Sequence, residues 1–351
     1  GDRMRRLPVF LVIDVSESMA GDNLRSLQDG IERLIRTLRT DPYALETAYL
    51  SVIAFAGRPK TLTPLVELVA FYPPRLPLGS GTSIGAALEH LMGEIDRNVK
   101  RSTPEQKGDF KPLVFLMTDG KSTDDMSAAQ ARWKRDYANR ANLVAIGIGP
   151  YAALEGLSSI SPNVLRIENA TEQDFKKFID WVSASVSTQS RSIGTGEPPK
   201  VNLAKVDESV MKKIESIAQA AAVDEDFVIV SGKCQTLKLP YLLKYERAKH
   251  AVETSDFRVD TTLYNLVGVY PAEKDFDELS DLRANAQTVN TEVLIGAPGC
   301  PHCGAPFAFA ACGCGQIFCA KGEGKAVCPG CNQELHMGRA EGNFDVARSR
   351  G

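Results

Sequence analysis

Three stretches of the sequence place small oxygen-bearing side chains directly after apolar runs or in a glycine-rich turn. Aspartate and serine alternate after the apolar run 9–13, a turn at 79–83 carries a threonine, and a second aspartate follows the apolar run 113–117. Carboxylate and hydroxyl oxygens are hard ligands that suit Mg²⁺, or the related ions Mn²⁺ and Ca²⁺. The sequence therefore predicts one divalent-cation site, whose five candidate ligands are Asp14, Ser16, Ser18, Thr82 and Asp119.

The weight of this prediction lies in the combination of the three stretches. An Asp-x-Ser-x-Ser string alone is a weak signal, because the same residue types cap helices and build turns. In parallel α/β sheets, however, ligands bind beyond the carboxyl ends of the strands, and Asp14 and Asp119 each follow a predicted strand. Glu17 and Asp124 lie nearby in the sequence and are interpreted as solvated charges at the rim of the site.

The cysteines give a second chemical signal. Seven of the eight lie between Cys300 and Cys331, and two pairs among them have the form Cys-Pro-x-Cys. Each such pair can present two thiolates from one tight turn, and two pairs can complete a tetrahedral Zn²⁺ site. A zinc-ribbon arrangement would use Cys300, Cys303, Cys328 and Cys331.

The remaining cysteines leave an alternative open. In a cross-braced arrangement, Cys312 and Cys314 would share an ion with the second Cys-Pro-x-Cys pair, while the first pair and Cys319 would form an incomplete second site. His336 is a spare ligand for this region. Cys234 lies far from the cluster in the sequence and is predicted to be a buried apolar residue.

Alternating strands and helices are predicted to position the cation ligands. The apolar runs 9–13, 113–117 and 143–148 are typical of strands buried on both faces, and helical patterns lie between them. This alternation predicts a doubly wound α/β domain with a mainly parallel sheet. The predicted organisation is the α/β domain at 7–187, a linker at 188–200, a smaller α+β domain at 201–337 that ends in a zinc module at about 298–337, and a polar tail at 338–351.

Composition restricts the function classes that need to be considered. The formal net charge is −3, and the basic residues are scattered, so no electrostatic signal favours nucleic acid. No apolar run approaches the ~20 residues that a membrane-spanning helix requires. The apolar stretch near the start of the sequence is short and ends at Asp14, which is not typical of an export signal. A cytoplasmic location is therefore expected.

The string from Asp14 to Ser18, together with Thr82 and Asp119, resembles the metal-ion-dependent adhesion site of von Willebrand factor A domains. The resemblance covers about half of the chain and includes all five ligand positions. It implies that the three hydroxyls contact the ion directly and that the two carboxylates hold it directly or through water. It also implies that an acidic side chain of a partner protein takes the open coordination position.

The whole chain resembles the TerY family of tellurium resistance proteins. In the second half this resemblance rests on the stretches 227–234 and 264–271 and on the cysteine cluster. The family is associated with bacterial responses to tellurite and other chemical stress, and related A-domain proteins occur alongside a protein kinase and a PP2C-type phosphatase. The resemblance therefore implies a non-catalytic adaptor in a stress response linked to phosphorylation.

Two other functions are weighed against the adaptor. A metal-dependent hydrolase would need a general base, and no His, Lys or Cys is visibly paired with the cation loops. The sequence also lacks a GxxxxGK[ST] loop for nucleotide phosphates. Nucleic-acid binding through the zinc module is the third possibility, but the module lacks a dense basic patch with interleaved aromatic residues.

Overall fold

The computed structural model describes residues 5–149, 152, 154–168, 171–194, 203–205, 211–213, 226–248, 262–281, 287–338 and 345–348. Its first sheet has seven strands in the order β3-β2-β1-β4-β5-β6-β7. The five inner strands are parallel, and both edge strands are antiparallel to their neighbours. The strands are β1 (Leu7–Asp14), β2 (Ala48–Phe55), β3 (Pro59–Glu67), β4 (Leu113–Thr118), β5 (Asn142–Ile148), β6 (Asn163–Ile167) and β7 (Met211–Lys213).

Every residue of the central strands β1 and β4 is buried, because helices cover both faces of this sheet. One apolar layer lies against α1 and α6, and the opposite layer lies against α3 and α4. The predicted doubly wound α/β domain is therefore confirmed. The helices are α1 (Asp22–Leu38), α2 (Pro42–Thr47), α3 (Ile84–Asn98), α4 (Ser127–Arg132), α5 (Glu155–Ser158) and α6 (Glu172–Gly194), and a π-helical turn (Trp133–Tyr137) follows α4.

The boundary after this domain differs from the sequence prediction. The predicted linker at 188–200 is helical as far as Gly194, because α6 continues through it, and residues 195–200 lie outside the described residues. Strand β7 follows the predicted linker but pairs with β6. The first sheet therefore includes an edge strand, β7, that lies beyond the predicted linker in the sequence.

The second half is built around a six-stranded sheet in the order β12-β10-β9-β8-β14-β13. Strands β8, β9 and β10 are antiparallel neighbours, whereas β14 from the cysteine cluster pairs parallel with β8. The predicted zinc module is therefore part of the same sheet as the α+β domain. The strands are β8 (Phe227–Lys233), β9 (Pro240–Arg247), β10 (Tyr264–Pro271), β11 (Gln287–Asn290), β12 (Leu294–Ile295), β13 (Phe307–Ala311) and β14 (Ile317–Ala320), and helix α7 (Asp275–Leu279) follows β10.

Two smaller strand pairs complete the described part of this half. Strands β15 (Gly324–Val327) and β16 (Glu334–Met337) form a hairpin, and β17 (Asp345–Arg348) pairs antiparallel with β11. The predicted polar tail therefore contains a strand, and its Val346 is buried in the core of the second half. Among the described residues, no helix combines the length and apolar character that crossing a bilayer requires.

Candidate metal centres

The first candidate centre lies at the carboxyl edge of the first sheet, where β1 ends at Asp14. This carboxylate is fully buried, and it accepts hydrogen bonds from the Ser16 backbone N–H at 2.8 Å and from the Thr118 hydroxyl at 2.7 Å. Burial raises the pKa of Asp14, because a charged carboxylate loses its hydration there. A nearby cation would favour the charged form of this carboxylate.

Two serines and a second aspartate lie within hydrogen-bond distance of one another beside Asp14. The hydroxyl oxygens of Ser16 and Ser18 are 3.1 Å apart, and the Ser18 hydroxyl donates to Asp119 Oδ1 at 2.8 Å. Ser16 is buried, whereas Ser18 and Asp119 are partly exposed. The loops after β1 and β4 therefore bring four of the five predicted ligands to one edge of the sheet, and the site reaches the surface on the Ser18 and Asp119 side.

Thr82 arrives on the loop before α3. Thr123 binds its backbone on both sides, because Thr82 N–H donates to Thr123 Oγ1 at 3.0 Å and Thr123 N–H donates to the Thr82 carbonyl at 2.7 Å. The loop lies against the end of β4, since a Cβ on Gly120 would be only 3.7 Å from Thr82 Oγ1. The Thr82 hydroxyl is buried, yet it has no hydrogen-bond partner among the residues that the structure describes.

This orphaned hydroxyl tests whether the residues fit a cation. A buried hydroxyl without a partner costs free energy that a metal ligand bond would recover. Two carboxylates and three hydroxyls form a hard, oxygen-only donor set, which fits Mg²⁺ better than a softer metal. The arrangement can therefore hold a divalent cation through Asp14, Ser16, Ser18, Thr82 and Asp119.

Two carboxylates that were interpreted as solvated rim charges instead hold the loops of this centre. Glu17 is buried and accepts the Gly81 backbone N–H at 3.0 Å. Asp124 accepts the backbone N–H groups of Gly85 and Ala86 at 3.1 and 2.9 Å, in the first turn of α3. Both contacts join loops far apart in the sequence, and the local sequence pattern therefore carries no signal for them.

The second candidate centre is a group of four thiols, Cys234, Cys300, Cys303 and Cys319, whose sulfur atoms all lie within 4.8 Å of one another. Cys319 is central to the group, with its Sγ 3.7 Å from that of Cys303 and 3.9 Å from that of Cys234. Backbone N–H groups of Gln235 and Leu237 donate to sulfurs of the group at 3.2 and 3.4 Å. Burial raises the pKa of Cys319, and the Gln235 N–H opposes this rise by favouring the thiolate, the form that binds zinc.

The third candidate centre is the group formed by Cys312, Cys314, Cys328 and Cys331, again within 4.8 Å. The sulfur atoms of Cys312 and Cys331 are 3.7 Å apart, as are those of Cys314 and Cys328. Burial alone would raise the pKa of Cys328, but backbone N–H groups, including that of Gly330 at 3.4 Å, help to lower it to about 7. A four-thiolate set in this geometry can hold a tetrahedral Zn²⁺.

The structure does not bring together the predicted ribbon set of Cys300, Cys303, Cys328 and Cys331. It divides the set between the two groups, and the grouping of Cys312 and Cys314 with the second Cys-Pro-x-Cys pair is the cross-braced alternative. The site left incomplete in that alternative gains Cys234 as its fourth thiol. The physical reason is strand register, because β14 pairs with β8 through Phe318 and Lys233, and the next residues are Cys319 and Cys234.

The two histidines near the cluster lie outside both groups. His336 is exposed on β16, opposite Lys325. His302 has its Nε2 2.7 Å from the Pro240 carbonyl, a contact that joins the first Cys-Pro-x-Cys turn to β9. The sequence signal that could have found Cys234 is that it ends the stretch 227–234, on which the family resemblance partly rests.

Comparison with known protein families identifies both halves of the chain. Residues 9–182 match the von Willebrand factor type A domain, and residues 224–351 match the TerY-C metal binding domain. No curated protein matches the chain as a whole or in part. Domains of the von Willebrand factor A type are generally non-catalytic interaction modules.

Solved structures show partial likenesses. Proximal thread matrix protein 1 from the mussel byssus, with a zinc-occupied MIDAS motif, is 23% identical, covers 51% of this chain and 48% of its own, and has a TM-score of 0.38. A von Willebrand factor type A protein from Catenulispora acidiphila is 14% identical and covers 79% and 68%, with a TM-score of 0.42. The vWF domain of the pilus tip protein Mfa5 from Porphyromonas gingivalis is 13% identical and covers 58% and 99%, with a TM-score of 0.39.

The chain spans about half the length of the mussel protein that it matches. The family models, in contrast, account for nearly all of the sheet described in the first half and for all the cysteines of the second. The chain therefore has the TerY-type architecture, in which a von Willebrand factor A domain is joined to a TerY-C metal binding domain.

Proposed function

We propose that the chain is a non-catalytic adaptor that binds a partner protein through a divalent cation, Mg²⁺ in the first instance, at the edge of its first sheet. The observation that carries this proposal is the buried Thr82 hydroxyl without a hydrogen-bond partner among the described residues. It lies beside the loop of Asp119, where four other oxygen ligands converge. Mn²⁺ and Ca²⁺ are the alternative ions for this donor set.

The residues of the site form a buried side, which would hold the cation, and a partly exposed side, which a partner could reach. Asp14 is fixed by the Ser16 backbone and Thr118, so it supplies a preorganised carboxylate at the buried side. Ser18 and Asp119 lie on the partly exposed side, where a partner would approach. A bound cation with mainly neutral hydroxyl ligands would keep enough positive charge to attract one further carboxylate.

We infer that the two thiol groups hold one Zn²⁺ each and stabilise the second half. Cys234 and Cys319 would tie β8 to β14, and Cys312 and Cys328 would tie the end of β13 to the β15–β16 hairpin. Zinc binding in such modules is coupled to folding, because the thiolates are not assembled in the unfolded chain. This role needs no reaction at the metal.

The biological setting is proposed from the TerY-type architecture. It consists of a cytoplasmic response to tellurite or related chemical stress, in which the partner is an associated protein kinase or a PP2C-type phosphatase. A cytoplasmic location is consistent with eight cysteines that are all unpaired in the structure.

A capture experiment tests the adaptor. The full chain is immobilised and exposed to extract from its native cell that has been dialysed to remove free divalent cations, with or without Mg²⁺ added back, and bound proteins are identified by mass spectrometry. Chelators are omitted because they would also remove zinc from the thiol groups. We expect a specific partner that is retained only with Mg²⁺ and is lost with Thr82→Ala.

Thr103→Ala is the matched control for this experiment. Thr103 is exposed and lies in the loop before β4, at the opposite edge of the sheet from the proposed cation. The Thr103→Ala variant should therefore capture the partner as well as the unaltered chain does. Retention of the same partner by Thr82→Ala, or in dialysed extract without added Mg²⁺, would contradict the proposal. Phosphatase or nucleotide-hydrolysing activity of the purified chain would instead favour the hydrolase.

A further inference from the structure

The segment Phe276–Asp281 of the second half lies directly on the loop that carries Thr82. Leu279 is fully buried and belongs to the apolar core of the first half. Its carbonyl accepts the Arg58 backbone N–H at 2.9 Å. The segment therefore bridges the turn after β2 and the loop before α3. It packs into the apolar core of the first half through Leu279.

Hydrogen bonds from this segment satisfy the backbone of Ser80, two residues before Thr82. The Ser80 N–H donates to Ser280 Oγ at 2.8 Å, and the Ser80 carbonyl accepts the Asp281 N–H at 2.9 Å. The Ser280 hydroxyl in turn donates to the Phe276 carbonyl in α7. Ser280 thus links the cation loop to a helix of the other half through one buried hydroxyl.

Glycines permit this close approach. A Cβ on Gly57 would lie 2.1 Å from the Asp281 backbone nitrogen, and one on Gly79 would lie 2.7 Å from Leu279 Cβ. Real Cβ atoms do not approach other atoms this closely, so any side chain at either position would force the two halves apart. The sequence leaves both positions without a side chain where the segment docks.

A second contact reaches the other cation loop. Lys244 of β9 donates to the backbone carbonyls of Ser18 and Ala20 at 3.4 and 3.3 Å. An apolar cluster contains residues of both halves, among them Ala20, Leu78 and Phe276. The second half therefore touches two of the three loops that supply the predicted cation ligands.

We propose that the second half positions the cation site, with Ser280 as a positioning residue for the Thr82 loop and Lys244 for the Ser18 loop. This inference rests on the proposed function, because it deepens the same site. A cation needs its ligands held to within about 0.5 Å, and a loop whose buried amide loses its acceptor does not keep that geometry. Cation binding and docking of the second half therefore favour each other, since linkage is reciprocal.

Ser280→Ala tests the link, because it removes one uncharged group and leaves the cation ligands unchanged. Affinity for Mn²⁺ is measured on the full zinc-loaded chain by calorimetry. Loss of a buried hydrogen bond to the loop should weaken Mn²⁺ binding about fivefold to tenfold. Ser280→Thr keeps the hydroxyl and should restore affinity to within about twofold. Ser161→Ala is the matched control, since Ser161 is also buried and its hydroxyl donates to the Leu143 carbonyl near the start of β5, at the opposite edge of the sheet from the cation loops.

Hydrogen exchange on the zinc-loaded chain without added Mg²⁺ or Mn²⁺ gives a second readout that does not depend on an ion at the first centre. Ser280→Ala should raise exchange in the peptide 79–83, and Lys244→Met should raise it in the peptide 16–20. Affinity is not used for Lys244→Met, because removing its positive charge would itself favour a cation. Failure of the unaltered chain to bind Mn²⁺ would reject the proposed cation site, and exchange alone would then decide the positioning role.

Two outcomes would overturn the inference. One is unaltered Mn²⁺ affinity together with unaltered exchange at 79–83 in Ser280→Ala. The other is equal weakening by Ser280→Ala and Ser161→Ala, which would show a general loss of stability rather than positioning of the loop.

Discussion

Replacement of Cys234 by alanine separates the structure from the sequence-based zinc ribbon. Cys234 is fully buried, and its Sγ lies 3.9 Å from that of Cys319. If the chain held a zinc ribbon, Cys234 would not be a ligand, and Cys234→Ala would leave the zinc content of the chain unchanged. In the structure the same change removes one of four thiols from a complete group.

The size of the effect follows from the number of ligands. A structural four-ligand zinc site is worth about 10–16 kcal/mol at neutral pH, so one ligand contributes roughly 2.5–4 kcal/mol. This corresponds to a loss of about 100-fold to 1,000-fold in zinc affinity. Since the proposed ion would tie β8 to β14, weaker binding should also lower the stability of the second half by up to about 4 kcal/mol at fixed free zinc.

Metal analysis and competition with a chromogenic chelator measure this prediction. The unaltered chain, purified without chelators, should hold two zinc ions, and Cys234→Ala should retain only one of them tightly. Cys331→Ala is the matched comparison, because it should weaken the other ion and leave the Cys234 group loaded. One zinc per unaltered chain, or full zinc affinity in Cys234→Ala, would refute the assignment.

Three further predictions follow from packing and metal removal. Gly79→Ala should lower the free energy of unfolding by about 1–3 kcal/mol in a denaturant titration, because the added Cβ would meet Leu279 of the second half. Gly313 has open space around its Cα, so Gly313→Ala should change the free energy of unfolding little. Tyr241→Phe should cost about 1 kcal/mol in the same titration, since the buried hydroxyl donates to the Ala308 carbonyl at 2.6 Å; an unchanged midpoint would contradict this. Zinc chelation should speed proteolysis within 296–337 before the first half is cut, and uniform cleavage would argue against separate stabilisation.

The first half was accessible from sequence because its signals are local. Continuous apolar runs predict buried parallel strands, and the runs ending at Ile13 and Met117 lie in neighbouring strands β1 and β4. The residues that follow each run then meet at one sheet edge, which is why Asp14 and Asp119 could be placed together. Thr118, which also binds Asp14, is the kind of partner that only the three-dimensional register reveals.

The second half was less accessible because its contacts are distant in sequence. Cys234 joins the cluster only through the parallel pairing of β8 with β14, which no periodicity in either strand predicts. Strand β7 is three residues long, too short for a hydrophobic pattern to indicate its pairing. The docking of Leu279 against Gly79 depends on backbone approach, and a missing side chain gives no signal of what fills its place.

The central claim is that a cation joins the first half to an acidic side chain of a partner, and a double-mutant cycle on the captured complex tests it most directly. One change is Thr82→Ala, and the other replaces the partner's coordinating Asp or Glu by its amide. Each alone should weaken binding in Mg²⁺ to a similar extent, and both together should cost little more than either, because they break the same interaction. Fully additive losses, or a complex indifferent to Mg²⁺, would show that the partner docks elsewhere and would contradict the account.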